Sequence, residues 1–116
     1  MKEQKHLVRT LLSQLPFERF RNPPPVVGVV RLNGVIGRFG TMREGLTLAS
    51  LERTLERTFG LFNLKAVAIV INSPGGSAAQ SSLIANRIRT LAAEKEIKVT
   101  AFAEDLAASG GYWLAC

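Results

Sequence analysis

Ser109 stands in the run Asp105-Leu106-Ala107-Ala108-Ser109-Gly110-Gly111-Tyr112-Trp113-Leu114-Ala115. Small residues precede the serine and two glycines follow it. Such neighbours leave room for a substrate backbone and put no side chain over the hydroxyl. The run after Ser109 is apolar and fits a helix. A serine near a helix N-terminus meets free N–H groups and the positive end of the helix dipole. A nucleophilic serine and the oxyanion it generates need that environment. The same residues also fit a plain N-cap or turn serine.

A second stretch, Ile71-Asn72-Ser73-Pro74-Gly75-Gly76-Ser77, follows the strand-like run Ala66–Ile71 and precedes a helical pattern. Its glycines expose backbone N–H groups, and Ser77 is placed to cap the next helix. An ordinary βα loop would also use Gly and Pro. In an open parallel sheet, however, the carboxyl ends of the strands face one crevice. N–H groups of Gly76 and Gly110 would then converge on one carbonyl oxygen beside Ser109.

Asn72-Ser73-Pro74-Gly75-Gly76-Ser77 and Ala107-Ala108-Ser109-Gly110-Gly111-Tyr112, in that order, resemble the signal peptide peptidase A family of serine peptidases, which have a Clp/crotonase-like fold. Val29 to Ile36 resembles that family's first strand and turn, so the likeness runs over residues 26 to 116. Asn-Ser-Pro-Gly-Gly also occurs in the caseinolytic protease subunit. Ser-Gly-Gly-Tyr after Ala-Ala favours the signal peptide peptidase branch. The resemblance implies an α/β fold of repeated β-β-α and βαβ units with a parallel sheet, incomplete at the C-terminus. It implies Ser109 as nucleophile and Gly76 and Gly110 as oxyanion donors. It implies no cofactor, an apolar extended peptide as substrate and a homo-oligomer. The family pairs its serine with a lysine base downstream. No lysine follows Ser109, so the expectation is a fragment whose base lies elsewhere. Two alternatives stay open: a crotonase-type acyl-CoA enzyme using the same two N–H groups, and a noncatalytic member acting only in assembly.

The elements that must position these loops follow from patterning. Residues 26–32 read as a strand, nearly continuous in apolar character and so expected to be buried on both faces. Asn33-Gly34 makes a turn, and residues 37–46 read as an irregular loop. Thr47–Phe59 reads as a helix with Leu48, Leu51, Leu55 and Phe59 in one stripe, Thr47 as cap and Gly60 as stop. Residues 66–71 form a second, covered strand. Residues 77–93 form a helix with Leu83, Ile84, Ile88 and Leu91 inward. Residues 98–103 form the third strand, with Glu104 and Asp105 in the loop after it. Lys65, Lys95 and Lys98 flank strand starts or a helix end, away from Ser109.

Residues 1–25 are set apart from the unit at 26–116: residues 1–22 read as an arm, and Asn22-Pro23-Pro24-Pro25 as a stiff linker. Leu7, Val8, Leu11, Leu12 and Leu15 recur at helical spacing among Lys2, Lys5, Arg9, Arg19 and Arg21, and Pro16 ends or kinks that helix. The arm either packs on the domain or a neighbouring subunit, or lies on an anionic membrane surface. No run is long enough to span a bilayer. The expected location is the cytoplasm, with peripheral contact to the inner membrane through residues 1–22.

With 116 residues, 47% hydrophobic and 21% charged, the chain has the composition of a single globular domain. A net charge of +6 favours anionic surfaces, but no zinc spacing or RNP-like pattern marks specific nucleic-acid binding. His6 is the single histidine and Cys116 the single cysteine, which excludes a His-based metal cluster and an internal disulfide. Cys116 is expected to be a buried small residue. No Gly-Lys-Ser/Thr loop is present.

Overall fold

A computed structural model describes residues 2–15, 22–40 and 43–116. In chain order the elements are α1 (Lys2–Ser13), β1 (Val26–Asn33), β2 (Arg38–Phe39), β3 (Arg43–Glu44), α2 (Leu48–Phe59), β4 (Leu64–Ser73), α3 (Ala78–Lys95), β5 (Lys98–Ala107) and α4 (Gly110–Ala115). Strands β1, β4 and β5 form a parallel sheet in that order, with Val30 opposite Ile69 and Ile69 opposite Ala101. This is the α/β, parallel-sheet architecture that the Clp/crotonase-like reading expects.

Helices α2 and α3 lie on one face of the sheet. Leu51, Leu55 and Phe59 from α2, and Ile84, Ala85, Ile88 and Leu91 from α3, share a core with Val30, Leu32, Val67, Ile69 and Ile71. Thr47 starts α2 through a capping box: Ser50 N–H donates to Thr47 Oγ1, and Thr47 N–H donates to Ser50 Oγ, both at 3.1 Å. Ser77 caps α3 by accepting from Gln80 N–H. Arg87 of α3 forms ion pairs with Glu52 and Glu56 of α2, so those charges join the two helices rather than only facing water.

Among the described residues, no helix lies on the opposite sheet face. Val27 and Val29 are 57% and 56% exposed, and Phe102 is exposed as well. The expectation of burial on both faces of β1 is therefore corrected. An unbroken β-branched run does not distinguish a doubly covered strand from one whose second face is bare, because both read as apolar. Leu83 is likewise exposed, and Ser81 and Ala85 take inward positions on α3. Cys116, expected inside, is exposed.

Strands β4 and β5 run further than expected, to Ser73 and Ala107. Glu104 and Asp105 thus lie in a strand rather than a loop. The register slips between Ile71, paired with Ala103, and Ser73, paired with Ala107. The surplus residues in β5 carry the chain forward so that Ala107 and Ala108 end beside Ser73. The loop at 37–46 contains the β2–β3 hairpin and lies outside the described residues at 41–42. Its flank is ordered against the site, with Ile36 bridged to both Leu46 and Gly76. Helix α1 ends at Ser13, ahead of Pro16, which lies outside the described residues. Leu7, Val8, Leu11 and Leu15 of the arm are exposed, so packing of its apolar stripe on the domain is not observed. Lys5 Nζ donates to Gly60 O at 3.2 Å, which ties α1 to the amino edge of the sheet.

Candidate active site

Ser109 sits where β5 turns into α4, at φ 52° and ψ −121°. A non-glycine residue with positive φ costs on the order of 1–3 kcal/mol and persists only where its surroundings impose it. The surroundings here are the first glycine loop. A Cβ on Gly75, itself at φ +95°, would stand 2.6 Å from Ser109 Cβ, 2.8 Å from Ala108 O and 2.8 Å from Gly110 N. The two loops therefore touch through backbone, and the first must present a glycine there.

Ser109 holds the N-cap position of α4, yet its side chain makes no capping hydrogen bond. The plain N-cap reading is thus not the observed one. The residue is exposed, at the carboxyl edge of the sheet, between the ends of β4 and β5. Gly76 is exposed beside it. Among the described residues, neither Gly76 N–H nor Gly110 N–H has a hydrogen-bond acceptor. Three neighbouring donors are engaged: Gly75 N–H to Ser73 Oγ at 3.1 Å, Ser77 N–H to Ile36 O at 2.8 Å, Gly111 N–H to Ala108 O at 2.9 Å. The N-termini of α3 and α4 begin at these loops, so their positive ends face the same edge.

Two further serines are built into the arrangement. Ser81, 2% exposed, donates to Ser77 O at 2.8 Å and fills the space beside Gly110, where a Cβ would collide with its Oγ. A serine in a helix usually faces water or bonds back to the helix. Ser81 bonds back, and its burial against the second loop carried no sequence signal. Ser73 is fully buried between the loops.

The remaining chemistry-bearing residues lie elsewhere. Lys65 is the second residue of β4, Lys98 the first of β5 and Lys95 the last of α3. A ten-residue strand at about 3.3 Å per residue separates that edge from Ser109 by roughly 30 Å. Lys5 and His6 belong to α1, which is tied to the same amino edge. Asp105 accepts from Asn72 Nδ2 at 3.5 Å, and Glu104 pairs with Arg31 at 2.8 Å. The first joins the neighbouring strands β4 and β5, the second reaches across β4 from β5 to β1, and neither engages Ser109. At the end of β1, a cavity of about 870 Å³ is lined by Asn33, Val35, Phe39, Leu46 and their neighbours.

Three curated proteins are similar to this chain. It is 52% identical over 106 residues to a protein named Na(+)/H(+) antiporter NhaA from Brucella melitensis biotype 1, and 51% identical over 106 residues to the one so named from Brucella abortus; each match covers 90% of this chain. It is 32% identical over 105 residues, 89% of the chain, to Protease 4 of Haemophilus influenzae. The chain spans 14% of the length of the first two and 17% of the third. It is thus a partial homologue of a protein named for peptidase activity. No protein-family model matches it. Among the described residues, no helix is long and apolar enough to cross a membrane.

The contact between the loops has a measurable consequence. Gly75→Ala should lower stability by about 3 kcal/mol or more, because a positive φ and a backbone collision add. Gly34→Ala, at φ +99° with open space around it, should cost only about 1–2 kcal/mol. Urea unfolding of both variants checks the difference; equal losses would contradict the contact.

Proposed function

We propose that this chain carries the nucleophile and oxyanion hole of a serine peptidase of the signal peptide peptidase A type, acting on cleaved signal peptides and other apolar peptides. One observation carries the reading: an uncapped, exposed serine at positive φ lies between two glycine loops whose Gly76 and Gly110 N–H groups lack acceptors. The partial likeness to Protease 4 supports it.

In this reading Ser109 Oγ attacks the peptide carbonyl carbon and gives up its proton to a base. The carbonyl electrons move to oxygen, where the Gly76 and Gly110 N–H groups receive the charge. Each such donor is worth about 3–4 kcal/mol in the transition state. The base returns that proton to the leaving nitrogen, so collapse of the intermediate expels a neutral amine and leaves an ester on Ser109, which water then cleaves. A serine hydroxyl needs a base at neutral pH. The lysines of known side-chain position lie far from Ser109, so the base is a lysine contributed from outside this chain, its pKa lowered by burial. In the cavity at the end of β1, Val35, Phe39 and Leu46 offer apolar contact to a side chain of an extended peptide, beside the polar Asn33, Glu44 and Ser50.

A second reading has its own support. The 52% identity to part of an antiporter-named protein favours a noncatalytic unit attached to a membrane transport protein. Ser109→Ala separates the two readings. In a protein carrying this segment together with its base, it should lower peptide cleavage by about 10⁴-fold or more. Undiminished cleavage would overturn the assignment. Acyl-CoA turnover that survives Ser109→Ala would favour the crotonase-type alternative.

The reading extends to location and assembly. The exposed stripe of α1, flanked by Lys5 and Arg9, is suited to an anionic membrane surface at the cytoplasmic side of the inner membrane. The uncovered sheet face supports a homo-oligomer. The chain should co-sediment with anionic vesicles at low salt and be released by about 0.5 M salt, through screening. Absence of binding at low salt would remove the membrane contact.

A further inference from the structure

Ser73 ends β4 with its hydroxyl and its carbonyl turned to different loops. It is 0% exposed. Its Oγ accepts from Gly75 N–H at 3.1 Å, and its carbonyl accepts from Ala108 N–H at 3.1 Å. Gly111 lies against it so closely that a Cβ there would stand 2.7 Å from Ser73 O. One side of Ser73 thus fixes the residue before Gly76, and the other fixes the residue two before Gly110. The register slip in β5 brings Ala107 opposite Ser73 and makes the second bond available.

We propose that Ser73 is a positioning residue that sets the separation of the two oxyanion donors, Gly76 N–H and Gly110 N–H. The inference rests on the peptidase reading above. Ser73 is buried and acts through Gly75 and Ala108, without touching substrate. An oxyanion hole works when both donors stand 2.7–3.1 Å from the developing charge. A misplacement of about 1 Å costs on the order of a hundredfold in rate. Removing Oγ leaves the buried Gly75 N–H without an acceptor, and the Gly75–Gly76 peptide turns to find one. The carbonyl bond to Ala108 survives, so Gly110 stays while Gly76 moves. The oxyanion exists only in the transition state and intermediate, so the loss falls on kcat and spares KM.

The test is steady-state kinetics of Ser73→Ala and Ser73→Cys in the peptidase that carries this segment, with rates normalised to Ser109 sites titrated by a fluorophosphonate. The sulfur of cysteine is a weak acceptor of nearly the same shape, so this variant keeps the fold and restores part of the bond. Expected are a kcat per titrated site about tenfold lower for Ser73→Ala, an intermediate value for Ser73→Cys, KM within about twofold of wild type, and an unchanged pH profile. An unchanged kcat per titrated site in both variants, with only the melting temperature lowered, would overturn the proposal and leave Ser73 a packing residue. Ser109→Ala runs beside them. If Ser109→Ala retains activity, the peptidase reading falls and this inference with it. If Ser109→Ala is inactive while both Ser73 variants keep full kcat, the positioning role alone is refuted.

Discussion

Two loops leave adjacent strands of a parallel sheet and meet at Gly75 and Ser109 with no room between them for a methyl group. That backbone contact holds Ser109 at positive φ, where its side chain makes no capping hydrogen bond and is exposed. It can form only because both strands end at the same edge, and the sheet is parallel only because α2 and α3 return the chain across one face. The apolar core of Leu55, Ile69, Ile71 and Ile84 is therefore what holds a local strain of a few kcal/mol in place.

The same topology places the serine loops and the lysines at opposite edges of the sheet. Serine, glycine N–H groups and helix N-termini gather at the carboxyl edge. Lys65, Lys95 and Lys98 gather at the amino edge, and α1 is tied there through Lys5. A parallel sheet enforces this separation, since every strand begins at one edge and ends at the other. In the proposed reading the acid–base partner for Ser109 comes from another element; the chain spans 14–17% of the length of the relatives it matches.

The site loops were legible because glycine and proline patterns after apolar runs mark strand-to-helix turns. Thr47, Ser77 and Gly60 marked helix ends for equally local reasons. What stayed hidden depends on neighbours distant in sequence. The bare face of β1 reads like a covered one, because Val27 and Val29 are as apolar as Val30. The inward turn of Ser81, the slip in β5 and the two hydrogen bonds accepted by Ser73 arise from how two βα units dock, and no single-segment pattern encodes docking. Ile36 shows the same limit: Val35 and Ile36 read as extending the strand or pairing locally, and Ile36 does pair, but that its partners are Gly76 and Leu46 carried no sequence signal.

The account depends on one carbonyl oxygen meeting two N–H groups beside Ser109. A crystal structure of the segment-bearing peptidase with a peptidyl phosphonate tests it most directly. The account predicts a covalent bond to Ser109 Oγ and an adduct oxygen about 3 Å from both Gly76 N and Gly110 N. An adduct on another residue, or an oxygen that meets neither glycine, would contradict it.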